Sequence, residues 1–175
     1  MARVGFIGTG VIADAMVRGI VGDGHEIVVS DRNADTAQLL AAEFLSVRVA
    51  DNQGVIDATD VVIICLMDDV ARMVLPELNF HSGQMVFSAM ARFSNDELTR
   101  HASPALAGGI LIPFPFISKG HSPILTLLTN PRAQKLLKEL FGARNTLFQL
   151  KNTKEFASMM ALQAIVLPSL TRLSH

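Results

Sequence analysis

Tryptophan and tyrosine are both absent from this chain, and cysteine occurs once, at Cys65. A single thiol excludes an internal disulfide and suits a reducing compartment. Without Tyr or Trp the common stacking platforms for bases are missing. No run of one charge sign exists either: 15 Lys and Arg against 16 Asp and Glu leave a net charge of −1. Neither a nucleic-acid partner nor an acidic membrane surface is expected. The five histidines, His25, His81, His101, His121 and His175, show no metal-ligand spacing, so no metal site is expected. No stretch reaches the ~20 apolar residues of a membrane span. Gly5, Gly8 and Gly10 interrupt the opening apolar run and Asp14 follows it, so a secretory leader is not expected and the cytoplasm is the default. A Gly-Lys-Ser/Thr phosphate loop and a Gly-x-Ser-x-Gly nucleophile turn are also lacking.

What is present is concentrated at the start. Val4-Gly5-Phe6-Ile7 runs into Gly8-Thr9-Gly10-Val11-Ile12-Ala13, a Gly-x-Gly-x-x-Ala turn from a strand into a helix. A dinucleotide pyrophosphate needs that order. Gly8 permits the tight turn, Gly10 lets the backbone approach the phosphates, and Ala13 keeps the helix close to the strand. The second strand, Ile27 to Val29, leads to Ser30-Asp31-Arg32-Asn33. Asp31 follows Ala13 by about twenty residues, where a carboxylate holds the adenosine ribose. A carboxylate there favours NAD, whereas Arg32 can stack on adenine or hold a 2′-phosphate. The choice between NAD and NADP stays open, and the bland reading of Asp31 is a turn residue or helix cap.

Half the residues are hydrophobic and 18% are charged, enough for a sizeable core in 175 residues. Strands alternate with helices, which predicts an α/β, Rossmann-type doubly wound, mainly parallel sheet with a C-terminal apolar helix. Expected strands are Arg3–Ile7, Ile27–Val29, Ser46–Val49, Asp60–Leu66, Met85–Ser88, Gly109–Ile112, Ile124–Leu128 and Asn145–Gln149. Expected helices are Val11–Val21, Asn33–Phe44, Gln53–Ala58, Asp68–Leu78, Ser94–His101 with a Ser94/Glu97 capping box, and Pro131–Phe141. Residues 1–150 read as a dinucleotide-binding domain, and residues 151–175 as the start of a helical dimerisation segment. Phe156–Leu167 is apolar almost all round, so it needs its own sheet or another subunit, preferably a subunit interface, and Pro168 should end it. Cys65, in Val61-Val62-Ile63-Ile64-Cys65-Leu66, reads as a small core residue rather than a nucleophile.

Gly5-Phe6-Ile7-Gly8-Thr9-Gly10 with Ala13, the strand Asp60–Cys65 and the loop Ile112-Pro113-Phe114-Pro115-Phe116-Ile117-Ser118-Lys119-Gly120 fall in the order found in pyrroline-5-carboxylate reductases. The chain resembles their N-terminal cofactor domain over nearly its whole length. Pro113–Gly120 resembles their Met-Pro-Asn-Thr-Pro loop near the nicotinamide, although only Pro113 and Gly120 match directly. Ser88-Ala89-Met90-Ala91 stands where they have Ala-Ala-Gly, and Leu66-Met67-Asp68 where they have Lys-Pro-Gln. Their Gly-Ser-Gly-Pro-Ala run is replaced by Leu162–Pro168, and most of their helical domain is absent. The resemblance implies reduction of a C=N bond in a cyclic imine acid by NADP or NAD, in proline biosynthesis, by a homodimer joined through the C-terminal helix. Cofactor contacts implied by motif and resemblance together are Gly8, Thr9, Gly10, Val11, Ile12, Ala13, Ser30, Asp31, Arg32, Asn33, Cys65, Leu66, Met67, Ala89 and Pro113.

No catalytic residue is assigned. A protonated imine is already electrophilic, so the protein need only orient it, shape the field and exclude water. Ser118, Lys119 and His121 are candidates because they belong to or follow the nicotinamide loop, with exposed loop residues as the alternative. A second reading is a dinucleotide-binding subunit without turnover. A third is an enzyme like the 3-hydroxyacid dehydrogenases, whose start is shared and to which Leu66-Met67-Asp68-Asp69 bears some likeness. Their catalytic Lys follows a Gly-rich turn, and neither Lys151 nor Lys154 does; both lysines read as solvated residues at a helix start.

Overall fold

The computed structural model describes residues 1–161. Its described strands are β1 (Arg3–Ile7), β2 (Glu26–Ser30), β3 (Val47–Ala50), β4 (Val61–Ile64), β5 (Met85–Ser88), β6 (Leu106–Pro113), β7 (Pro123–Leu128) and β8 (Thr146–Gln149). They form one sheet in the order β3-β2-β1-β4-β5-β6-β7-β8. Every neighbouring pair is parallel except β6 and β7, which run antiparallel. The helices are α1 (Val11–Ile20), α2 (Ala34–Glu43), α3 (Asn52–Ala58), α4 (Asp68–Val74), α5 (Asn95–Ala102), α6 (Pro131–Phe141) and α7, whose described part covers residues 153–161. The doubly wound Rossmann-type arrangement expected from the alternation is therefore present.

Both faces of the sheet are buried, which is why β4 at its centre is an uninterrupted β-branched run, Val61-Val62-Ile63-Ile64. Alternate residues serve opposite cores. Val4, Phe6, Val61, Ile63, Met85 and Phe87 face α1, α2 and α6. Ile7, Val62, Ile64 and Val86 face α3, α4 and α5. All ten are at most 3% exposed, and each side chain of this size contributes roughly 1.5–3 kcal/mol on burial. A third, smaller cluster of Ile110, Ile112, Leu125, Leu150 and Phe156 lies where α7 covers β6 and β7. Phe156 thus finds its own sheet. The part of the apolar run from Leu162 onward lies outside the described residues.

Several expected boundaries move for identifiable reasons. The helix expected over Asp68–Leu78 ends at Val74 and continues as a 3₁₀ turn over Leu75–Glu77, because Pro76 has no N–H to donate. The strand expected over Gly109–Ile112 extends to Leu106–Pro113, recruited by pairing with β5 across a register shift at Val86 and Phe87. Pro113, expected in a loop, is the last residue of β6, and Pro115–Lys119 is a 3₁₀ turn. The Ser94/Glu97 capping box forms as expected.

Glu97 also reaches Arg72 of α4 (2.8 Å). That hydrogen bond, with the Ser94 N–H, draws its carboxyl from an ordinary 4.5 down to about 2. The bond to α4 therefore contributes above pH 4.5 and is lost as pH falls toward 2. The difference in Tm between wild type and Glu97→Gln should be about 2–4 °C near neutrality and vanish by pH 2, as followed by circular dichroism. A second outcome concerns the first turn, where Gly8 has φ +93° and an added Cβ would lie 2.5 Å from the Cys65 carbonyl. Gly8→Ala should cost about 2–4 kcal/mol in urea unfolding.

Candidate dinucleotide site

The topological switch point falls between β1 and β4, where the strand order reverses, and the turn after β1 opens there. Gly8 carries the sharp bend. Its N–H donates to Ser30 Oγ (2.8 Å), and Thr9 Oγ1 donates to the Ser30 carbonyl (2.5 Å). Thr9 and Ser30 are 1% and 0% exposed, so both act on the turn from within the protein. Cys65 and Leu66, after β4, form the wall against Gly8: an added Cβ would meet the Cys65 carbonyl at 2.5 Å and Leu66 Cδ2 at 2.8 Å.

Gly10 is a different case. Its φ is −89°, open to any residue, and an added Cβ would meet nothing within 4 Å. Neither backbone strain nor packing requires glycine there. The space itself is the feature, because Gly10 is the N-cap of α1 and no side chain caps that helix. Asp14 N–H makes the first helical bond, to the Gly10 carbonyl (2.9 Å). The N–H groups of Val11, Ile12 and Ala13 precede it and have no helical acceptor. Bare donors, the positive helix end and open space together fit a pyrophosphate. Asp14, the acid of the first turn, is held by Arg18 Nε (3.0 Å), and Arg18 is held in turn by Glu43 (2.7 Å).

The remaining sequence-derived positions divide by location. Ala13 is fully buried under the turn, Ile12 is half-buried, and Val11 is exposed at the rim. Asp31, Arg32 and Asn33 are exposed at the C-terminal end of β2, and among the described residues Asp31 and Arg32 make no ion pair. Cys65 and Leu66 are half-buried, and Met67 is 73% exposed as the N-cap of α4. Burial pushes the Cys65 thiol up, so it stays protonated. Ala89 follows β5 half-buried, and Pro113 is buried at the end of β6.

Ser118, Lys119 and His121 are not brought to the turn. The 3₁₀ turn containing Ser118 and Lys119 packs on the far half of α1, where an added Cβ at Gly19 would meet the Ile117 carbonyl at 3.1 Å. His121 N–H donates to the Arg144 carbonyl, and Arg144 reaches Asp23 beyond the end of α1 (3.0 Å). Lys151 and Lys154 are exposed around the start of α7. What sequence reasoning missed is Arg72 and Arg92, which with Met67, Asp68 and Asp69 line an open cavity of about 490 Å³ beside the C-terminal ends of β4 and β5. No motif spacing links residue 67 to residue 92; only adjacent parallel strands do.

Solved structures similar to this chain include reductases of two kinds. A 1-pyrroline-5-carboxylate reductase from Streptococcus pyogenes superposes with a TM-score of 0.75 at 24% identity, over 92% of this chain and 62% of that one. A pyrroline-5-carboxylate reductase from Coxiella burnetii gives 0.76 at 15% identity, over 99% and 72%. A reductive aminase from Aspergillus terreus, in complex with NADPH and ethyl-5-oxohexanoate, gives 0.72 at 18%, over 94% and 61%. At these identities the likeness establishes a shared fold, and this chain spans about three fifths of the length of the first and third. No curated protein matches it. Residues 3–92, more than half of the chain and including β1, α1, β2, β4 and β5, match the family model described as NADP oxidoreductase, coenzyme F420-dependent. With the open turn after β1 lying inside that match, the chain belongs to this family of NADP oxidoreductases.

Proposed function

We propose that this chain holds NADP(H) across the C-terminal ends of β1, β2, β4 and β5, and that it serves the reduction of a C=N bond in a cyclic imine acid. The observation that carries the reading is the uncapped start of α1 in front of a Gly10 that nothing else in the fold requires. The N–H groups of Val11, Ile12 and Ala13 take the pyrophosphate. Gly8, Thr9, Ser30 and Ala13 hold the turn in the shape that presents them. Arg32 takes the ribose 2′-phosphate with help from Asn33, and Asp31 limits the preference for NADP over NAD by repelling that phosphate.

Cys65, Leu66, Met67 and Ala89, with Pro113 behind them, form the edge along which the nicotinamide lies. When bound, the reduced nicotinamide supplies a hydride to the carbon of a protonated C=N bond, leaving the amine and the oxidised cofactor. The protein's part is orientation: backbone donors at one end, and the apolar Leu66 and Met67 at the other, where they exclude water from the reacting bond. We place the protein in the cytoplasm, in proline biosynthesis, as a homodimer through the C-terminal helix. The single thiol, the absence among the described residues of a helix long and apolar enough to cross a membrane, and the apolar sequence from Phe156 to Leu167 support that placement.

Gly10→Val should unfold only about 2–4 °C below wild type, the cost of a β-branched N-cap, yet bind NADPH at least roughly 100-fold more weakly by calorimetry. Normal NADPH binding by this variant would displace the pyrophosphate from the turn. Arg32→Ala should weaken NADPH about 10-fold while leaving NADH nearly unchanged, and Asp31→Ala should tighten NADPH a few-fold at low salt. Oxidation of NADPH with a cyclic imine acid, followed at 340 nm, tests turnover. NADPH binding without turnover on imines or oxo acids would favour the non-catalytic reading, and turnover confined to 3-hydroxy acids would favour the dehydrogenase-like one.

A further inference from the structure

A second cavity, of about 300 Å³, lies between the start of α5, strands β6 and β7, and α7. Its walls are apolar where Ile110, Leu127 and Phe156 meet, and polar where Arg92, Asn95 and Asp96 enter it. Arg92 also lines the 490 Å³ cavity beside Met67, so one residue borders both spaces. The other cation there, Arg72, is already committed: its Nε donates to Glu97 (2.8 Å), its Nη2 donates to the Arg92 carbonyl (3.3 Å), and its guanidinium lies over Phe93 (5.7 Å). Arg92 makes no ion pair among the described residues.

Asn95 shows the opposite deficiency. Its Nδ2 donates to the Leu127 carbonyl (3.3 Å), which fixes the amide, while its Oδ1 is shielded from water and has no partner among the described residues. A dry, unpaired acceptor is a standing cost that an arriving N–H donor removes. One cavity adjoining the nicotinamide edge therefore combines an uncommitted cation, a donor-deficient amide and apolar walls.

We infer that Arg92 and Asn95 are specificity-determining residues, Arg92 binding a substrate carboxylate and Asn95 Oδ1 accepting from the N–H of the same small cyclic amine or imine acid. The inference rests on the proposed imine reduction for its choice of ligand and deepens it. The apolar ring of that ligand fills the space between Ile110, Leu127 and Phe156. Asp96, at the same wall, adds negative potential that favours a protonated nitrogen.

The test is calorimetric titration of the full chain, with and without NADPH, using three probes: pyrrolidine-2-carboxylate, cyclopentanecarboxylate, which lacks the nitrogen, and pyrrolidine, which lacks the carboxylate. Wild type should prefer pyrrolidine-2-carboxylate about 10-fold over either truncated probe. Arg92→Gln should lower its affinity to that of pyrrolidine and leave pyrrolidine unchanged. Asn95→Leu should lower it to that of cyclopentanecarboxylate, and Asn95→Asp should retain the preference. Unchanged NADPH affinity in each variant reports an intact fold. If the variants keep the wild-type order of probes, or wild type binds none of them, the assignment is overturned while the cofactor site stands. If NADPH fails to bind wild type, the proposed function falls, and the titrations without NADPH still decide the cavity.

Discussion

The hydroxyl and carbonyl of Ser30, the Gly8 N–H and the Thr9 hydroxyl form the joint on which the rest of the candidate site depends. Two buried hydrogen bonds tie the turn after β1 to the end of β2, and each closes a donor or acceptor that would otherwise be stranded away from water. The Cys65 carbonyl presses on the same turn from β4. Three adjacent strands thus fix one short loop, and α1 leaves it with its first N–H groups bare and aimed at open space. The cradle is preorganised in the sense that matters for binding: little ordering remains to be done when an anion arrives.

The same edge of the sheet relates the cradle to the second cavity. Parallel strands present all their C-terminal ends on one side, so loops distant in sequence become neighbours. Met67 follows β4 and Arg92 follows β5, and both residues line one space. Beyond β6 the sheet changes character, since β7 runs antiparallel and α7 returns to cover it. That return, through Phe156 in the third core cluster, closes the far wall of the cavity. The fold therefore leaves bare backbone donors at one place and a side-chain-lined cavity at another.

Much of the cradle was legible because its requirements are local. A strand, Gly8, Gly10 and Ala13 are constraints of adjacent backbone, and sequence order preserves them. The Ser94/Glu97 capping box was legible for the same reason. Less legible was the division of labour among those residues: Ser30 and Asp31 are neighbours in sequence, yet one is buried against Gly8 and the other is exposed. The segment after β6 was misplaced as a loop because Pro113 and Pro115 are turn-prone, whereas pairing with β7 keeps Pro113 in the strand and packing on α1 makes the rest a 3₁₀ turn.

The sequence by itself determined the alternation of strand and helix, the two-faced burial of the central strands and the tight glycine turn after β1, since each follows from side-chain period or from backbone freedom within a few residues. The tertiary structure decided what depends on separation in sequence. It set the extent of β6, where pairing with β5 draws in three residues of weak strand propensity. It placed His121 at the far end of α1 from the cradle. It also brought Arg92, Asn95, Leu127 and Phe156 around one space, because strand order and helix crossing, rather than spacing along the chain, set which side chains meet.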